Sequence, residues 1–226
     1  MIKAAIHQSQ YIPWVPYIKK VASADIFIIM DNVQFQSNGV QNRNRIRNKA
    51  GQFWLTVPVT GNLADTIGEK RIVGRDWATK HWKSLQASYS KAPFWGMYRD
   101  ELFQLYEQNC STLLEVNQLF FTYLIKKMSI TTKIIHLSDL NINAKKADLV
   151  LQACKDVNAE IYISGTGSKA YLNEEIFRQE GIRIDYQPSI PPSYDQFHGD
   201  FIDGLSIIDM LMNVRLEEIV AYVNTQ

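Results

Sequence analysis

Short apolar runs alternate with longer stretches of helical period along the chain. Lys3–His7 predicts a first strand, and Trp14–Ser23 a short helix entered at Pro13. Ile26–Met30 is continuous in large apolar residues, as a strand buried on both faces requires. Val33–Arg47 reads as an extended hairpin turning near Asn38-Gly39, a favoured hairpin dipeptide. Phe53–Val59 predicts another strand ended by Pro58, and Arg71–Val73 a brief one. Helices then dominate. Asp76–Tyr89 spaces Trp77, His81, Trp82 and Leu85 at helical intervals, and Pro93–Asn109 and Ser111–Met128 follow. Strand–helix alternation resumes with strands at Lys133–Leu137, Glu160–Ser164 and Arg183–Gln187. Between and after them come helices at Lys145–Val157 and Lys169–Glu180, and last helices starting at Ser206–Met212. Strands separated by long helices pair in parallel. The expected fold is therefore α/β: a mostly parallel sheet flanked by helices, with a β-hairpin near the N-terminus and a helical insertion at about 76–128. No repeat or linker divides the chain, so one domain over 1–226 is expected.

Composition narrows the class. The 226 residues are 46% hydrophobic and 21% charged, ordinary for a globular chain that buries a sizeable core. A net charge of +1 argues against nucleic acid as partner, and no apolar run is long enough for membrane insertion. Cys110 and Cys154 stand far apart without a neighbouring histidine, so neither a metal site nor a thiol nucleophile is expected. Met1–His7 does not resemble a signal peptide, which makes a cytoplasmic location the expectation. Residues 1–60 nevertheless hold seven Lys and Arg against two Asp, a local +5 that suits a small anionic ligand as well as a solvated basic face.

Candidate chemistry falls at strand ends and on one strand face. Ligands of open α/β sheets bind outside the carboxyl ends of the strands. His7 ends the first predicted strand, placed for proton transfer or phosphate contact, or packed to shape the following loop. Asp31 ends the second, where it either faces His7 and orients the imidazole or caps a turn with Asn32. In Gln41–Lys49, strand alternation puts Arg43, Arg45, Arg47 and Lys49 on one face. Such a row binds phosphate or guards an edge strand. Ser164-Gly165-Thr166-Gly167-Ser168, between a strand and a helix, is either an anion-cradling loop or a tight turn.

Taken together, these stretches resemble the WbqC-like family. The matching pattern runs His7-Gln8, Tyr11-Ile12-Pro13-Trp14 with Lys19, then Asp25, Asp31 and Val33-Gln34-Phe35. It continues through Gln41–Ile46, Trp54–Val59, Trp82 and Tyr89 with Lys91-Ala92-Pro93. Tyr162–Gly165, Tyr171-Leu172, Tyr194, Gln196 and Leu205–Leu211 complete it. Ser9 stands where the family usually has proline, and Asn213-Val214-Arg215 lacks the usual glycine after asparagine. The resemblance implies bacterial O-antigen or other surface-polysaccharide biosynthesis. It suggests an acyl- or aminoacyl-transferase acting on the amine of a nucleotide-linked deoxyamino sugar. There His7 is the base and Asp31 its orienting partner. Arg43 and Arg45 hold pyrophosphate, Asn42 and Asn44 fix the hairpin, and Tyr11 and Trp14 form an apolar wall. Gln8, Lys19, Gln34, Ser164, Gly165 and Tyr171 join them as substrate-binding candidates. No cofactor is expected to be held permanently; the acyl donor is a thioester of coenzyme A or of an acyl carrier protein as partner. The alternative is a nucleotide-sugar-binding or scaffold protein of the same pathway without catalysis.

Overall fold

The structure is a computed structural model describing residues 1–62, 64–170 and 172–225. Its centre is a parallel sheet of β1 (Lys3–Gln8), β2 (Ile26–Met30), β7 (Lys133–His136), β8 (Ile161–Gly165) and β9 (Arg183–Gln187), in the order β7-β2-β1-β8-β9. The chain winds outward from β1 to β2 and β7, then returns to β8 and winds the other way to β9. The order therefore reverses between β1 and β8, where ligands of such sheets settle.

Side-chain alternation along β1 explains the two layers. Ala5 joins Phe27, Ile29 and Ile163 in a core under α1 (Val15–Ala22), α4 (Leu113–Lys127), α7 (Ile207–Asn213) and α8 (Leu216–Asn224). Ala4 and Ile6 join Ile28 and Tyr162 in a second core under α5 (Lys146–Asp156) and α6 (Glu174–Gln179). Both faces are buried, which is why the strands read as continuous apolar runs. The helical middle is α2 (Asp76–Tyr89), α3 (Trp95–Glu107) and α4. A capping box, Thr112 with Glu115, starts α4, and the Ser206 hydroxyl accepts from the Ile208 amide to start α7.

Three expected elements differ. The hairpin is β3 (Arg43–Asn48) with β4 (Gly51–Thr56), so it turns at Lys49-Ala50 and not at Asn38-Gly39. Asn38-Gly39 does close a turn, with Asn38 at φ 68° and the Gly39 amide on the Gln36 carbonyl. Its flanks, however, pair elsewhere: the Phe35 amide donates to the Asp65 carbonyl and the Ile67 amide to the Val33 carbonyl. Gly51, at φ 120°, supplies the freedom the true turn needs. The predicted strand through Pro58 stops at Thr56; β5 (Val59–Thr60) then pairs with β6 (Arg71–Ile72). The predicted helix 169–180 is broken because the Asn173 side chain caps the Glu175 amide and starts α6 afresh. A short 3-10 turn, Thr166–Ala170, precedes it.

Candidate functional site

The carboxyl edge of the sheet is where polar residues gather. Its main feature is a parting of strands. β1 pairs with β2 up to Gln8↔Met30, and β8 with β9 up to Gly165↔Gln187. Between β1 and β8, however, pairing ends at Ala5↔Ile163. Ile6-His7-Gln8 and Ser164-Gly165 therefore line the two sides of a split at the switch point. Sequence reasoning named four of these residues, and the topology brings them to one place.

His7 lies on the α1 face of this split, its ring edge-on to Tyr17 at 5.0 Å. Its Nδ1 is 3.3 Å from the Gln8 carbonyl, a bond that requires Nδ1 to carry the proton. The Gln10 Nε2 also lies 3.4 Å from Nδ1, a contact that is a hydrogen bond only in the other tautomer, with Nδ1 unprotonated. Burial, with Lys20 nearby, drives the His7 pKa down to about 3, so the ring is neutral at physiological pH. Gln8 accepts from Gln41 at 2.9 Å. Asn117 of α4 donates to the Ser9 hydroxyl and the Gln41 carbonyl, tying β1's exit to the segment that enters the hairpin. The Gln10 Oε1 and Asn117 Oδ1 atoms are buried without a hydrogen-bond partner among the described residues.

Asp31 does not orient His7. It sits at the end of β2 with His136, the last residue of β7, whose Nδ1 lies 3.2 Å from Asp31 Oδ2. The Ser138 hydroxyl and amide donate to the same carboxylate at 2.7 and 3.1 Å. Burial raises the Asp31 carboxyl, but the bonds from His136 and Ser138 outweigh it and hold it below its ordinary range. The carboxylate in turn raises His136 above an ordinary imidazole, against its partial burial. Gln118 approaches the other ring nitrogen at 2.8 Å. The registers His7↔Ile29 and Ile29↔His136 place both histidines in one row on one sheet face, about 10 Å apart from two strand spacings. His136 was missed in the sequence although it ends β7 as closely as His7 approaches the end of β1.

The arginine face is real but largely occupied. Arg43, Arg45 and Arg47 share it opposite Thr56, Trp54 and Gln52. Arg47 is buried and donates to the Gln196 side chain and to the His198 and Asp200 carbonyls. Arg45 donates to Gln52 and to the Gly204 carbonyl. The segment 196–204 thus lies across the hairpin as a strap, its carbonyls taking the place expected for phosphate oxygens. Arg43 stacks over Trp54 at 4.3 Å and reaches the Asn38 carbonyl. Trp54 itself is 43% exposed.

The remaining candidates divide into scaffold and surface. Tyr11 is fully buried, its hydroxyl bonded to His81 and Tyr106, so it presents no wall to a ligand. Asn42 donates to the Val57 carbonyl, and Asn44 to the Tyr11 and Ile12 carbonyls, at 3.4 and 2.9 Å. Asn42 therefore closes the base of the hairpin, and Asn44 fixes the hairpin against the β1–α1 loop. The Ser206 hydroxyl also donates to Ile12, and the Ile207 amide to Pro13. Trp14 is half-buried at the start of α1, Lys19 lies over the Tyr222 ring at 4.6 Å, and Gln34 is exposed in a bridge with Thr66. Ser164 bonds Ser168, which also holds the Gly165 carbonyl. Tyr171 lies outside the described residues. Among the described residues, no three His, Cys, Asp or Glu side chains converge as a metal ion would need. No helix among them is long and apolar enough to cross a membrane.

Comparison with known proteins gives a family. The chain is 34% identical over 223 residues to "Uncharacterized protein Rv1507c" of Mycobacterium tuberculosis (strain ATCC 25618 / H37Rv), covering 96% of each chain. No solved structure matches. The family model described as "WbqC-like protein family" matches residues 8–221, a span that begins at Gln8 and includes the β8 side of the strand parting, the hairpin and α7. On a match of that extent, this chain belongs to the WbqC-like protein family.

Proposed function

We propose that this protein is an acyl- or aminoacyl-transferase acting on the amine of a nucleotide-linked deoxyamino sugar, in cytoplasmic O-antigen or surface-polysaccharide biosynthesis. The observation that carries the reading is the parting of β1 and β8 at the switch point, with two histidines in one row beside it. A nucleotide sugar is long enough to lie with its phosphates at the parting and its sugar toward β7. The reaction forms an amide bond between the sugar nitrogen and the acyl carbon of a coenzyme A or carrier-protein thioester. The thiol leaves, and the nitrogen loses a proton.

The protein's residues suit direct attack. Burial pushes the Cys154 thiol up to about 12 and also raises Cys110, so neither is a ready nucleophile. The proton-taking group is His136, whose basicity Asp31 sustains. His7, held neutral, acts better as a hydrogen-bonding group than as a base. A non-catalytic nucleotide-sugar-binding or scaffold role is the second reading, favoured by the burial of His7 and the amide already on His136. Mass spectrometry of the protein incubated with nucleotide amino sugars and acyl thioesters tests the first reading. An acylated sugar that disappears in His136→Ala supports it. Binding of the nucleotide sugar with no product from any donor tried supports the second.

A further inference from the structure

Lys20 is the one residue of α1 whose position contradicts its chemistry. It follows Tyr17 by three positions and so falls on the sheet-facing side of the helix, where it is 8% exposed. Among the described residues no carboxylate pairs with it. Its Nζ has a single long bond, 3.5 Å, to the Ile6 carbonyl. That carbonyl is informative. The Ile161 amide donates to Ile2, so by alternation the even-numbered positions of β1 turn toward β8. Continued pairing would bring the Gly165 amide onto Ile6, but the ladder has already ended at Ala5↔Ile163. The lysine therefore reaches into the strand parting and touches a carbonyl that the sheet has abandoned.

A buried ammonium without a counter-charge is costly unless something anionic meets it. The uncompensated cation lies beside His7 and the end of the β1–β8 ladder, at the switch point.

We propose that Lys20 anchors an anion-binding site at the parting of β1 and β8, and that the anion is a phosphoryl group such as the diphosphate of a nucleotide. The site deepens the transferase reading by assigning where its nucleotide sits, and it moves the phosphate from Arg43 and Arg45 to Lys20. The choice of a nucleotide probe rests on that reading; the presence of an anion site does not. The Gly165 loop lies across the parting, and His7, being neutral, adds no charge.

Calorimetric titration with UDP, dTDP and inorganic pyrophosphate tests the site without requiring turnover. Wild type should bind at least one probe. Lys20→Met, whose side chain keeps the stem and removes the charge, should weaken it about tenfold or more, the range of a charge-assisted bond. Lys133→Gln, at the opposite end of the sheet, should bind as wild type. Equal binding by wild type and a folded Lys20→Met overturns the site, and so does a wild type that binds none of the probes. Should Lys20→Met fail to fold, a crystal structure of wild type with the bound probe decides. A phosphate oxygen within hydrogen-bond reach of Lys20 Nζ is expected, and a phosphate seated elsewhere overturns the assignment. Absence of acylated product would count against the transferase and leave this result intact.

Discussion

Asp31 and His136 meet across the carboxyl ends of β2 and β7, 3.2 Å from Oδ2 to Nδ1, an ion pair when the imidazole is protonated. The two shifts are mutually consistent: the carboxyl is held down and the imidazole is held up. The pair therefore stabilises the fold most in a window between the two titrations. Below it Asp31 protonates; above it, as pH rises through the elevated folded value, His136 loses its charge and its share. Asp31→Asn should return the His136 titration to lower pH, read by the imidazole proton resonances. If His136 is the transferase base, the acid limb of the pH–rate profile moves with it. A His136 titration unchanged by Asp31→Asn would contradict the pairing.

His7 and His81 make the protein acid-sensitive. Burial lowers them to about 3 and about 4, while in the unfolded chain each titrates near 6.5. The unfolded state therefore binds more protons below that value. Stability should be full above about pH 6.5 and fall by a few kcal/mol as pH drops toward 4. Urea unfolding across this range checks it. His7→Gln should flatten the curve. A curve with the same slope in the variant would show that His7 is more solvated than its packing implies.

Lys20 should lower the stability of the ligand-free protein. Burial brings its pKa down to about 8 from 10.5, so the penalty is present at neutral pH and is relieved as pH rises through that interval. Lys20→Met should gain about 2–3 kcal/mol at pH 7, an order-of-magnitude figure from the shift. Melting curves of the two proteins without ligand measure it, and a loss of stability in the variant would contradict an uncompensated charge.

Arg47 holds the strap rather than a ligand. Arg47→Ala should leave the carbonyls of His198 and Asp200 without their donor and the Gln196 Oε1 with the Ile202 amide alone. The expected loss is about 2–4 kcal/mol, from a buried charged network. Hydrogen exchange should rise in 196–204 before it rises in the sheet. Uniform exchange across both would mean that strap and sheet open together.

The core is built so that one carboxylate gathers three partners. Asp209 is fully buried and accepts from the Tyr89 and Tyr194 hydroxyls, at 2.8 Å each, and from Asn213. Tyr89 in turn receives the Arg47 amide. Tyr89→Phe should cost about 1–3 kcal/mol through the orphaned carboxylate oxygen and amide. Denaturant midpoints check this, with an unchanged midpoint as the contrary result.

What could be read from sequence follows the range of the interactions. Period and turn chemistry are local, so β2, α2 and β9 fall where the apolar pattern puts them, and Ser206 caps α7 as its spacing suggests. Strand ends are local too, which is how His7, Gln8, Asp31, Ser164 and Gly165 were found. Pairings across more than 100 residues were out of reach. Nothing near Asp31 announces that its imidazole is His136 and not His7. Nothing near Arg47 announces that residues 196–200 bring its acceptors. Lys20 was legible in principle: it follows Pro16 and Tyr17 by four and three positions, which puts it on their apolar face.

The β1–α1 loop has a further consequence. Tyr11 is held at its hydroxyl by His81 and Tyr106, and Ile12 stays at φ 36° while Asn44 and Ser206 grip its carbonyl. Hairpin, helical insertion and α7 therefore all set this loop when the chain folds. A ligand arriving at the strand parting meets walls whose motions are already frozen. Little ordering entropy is left to oppose association, so free and occupied forms of residues 9–14 should superimpose, and recognition here should resemble a key entering a cut lock.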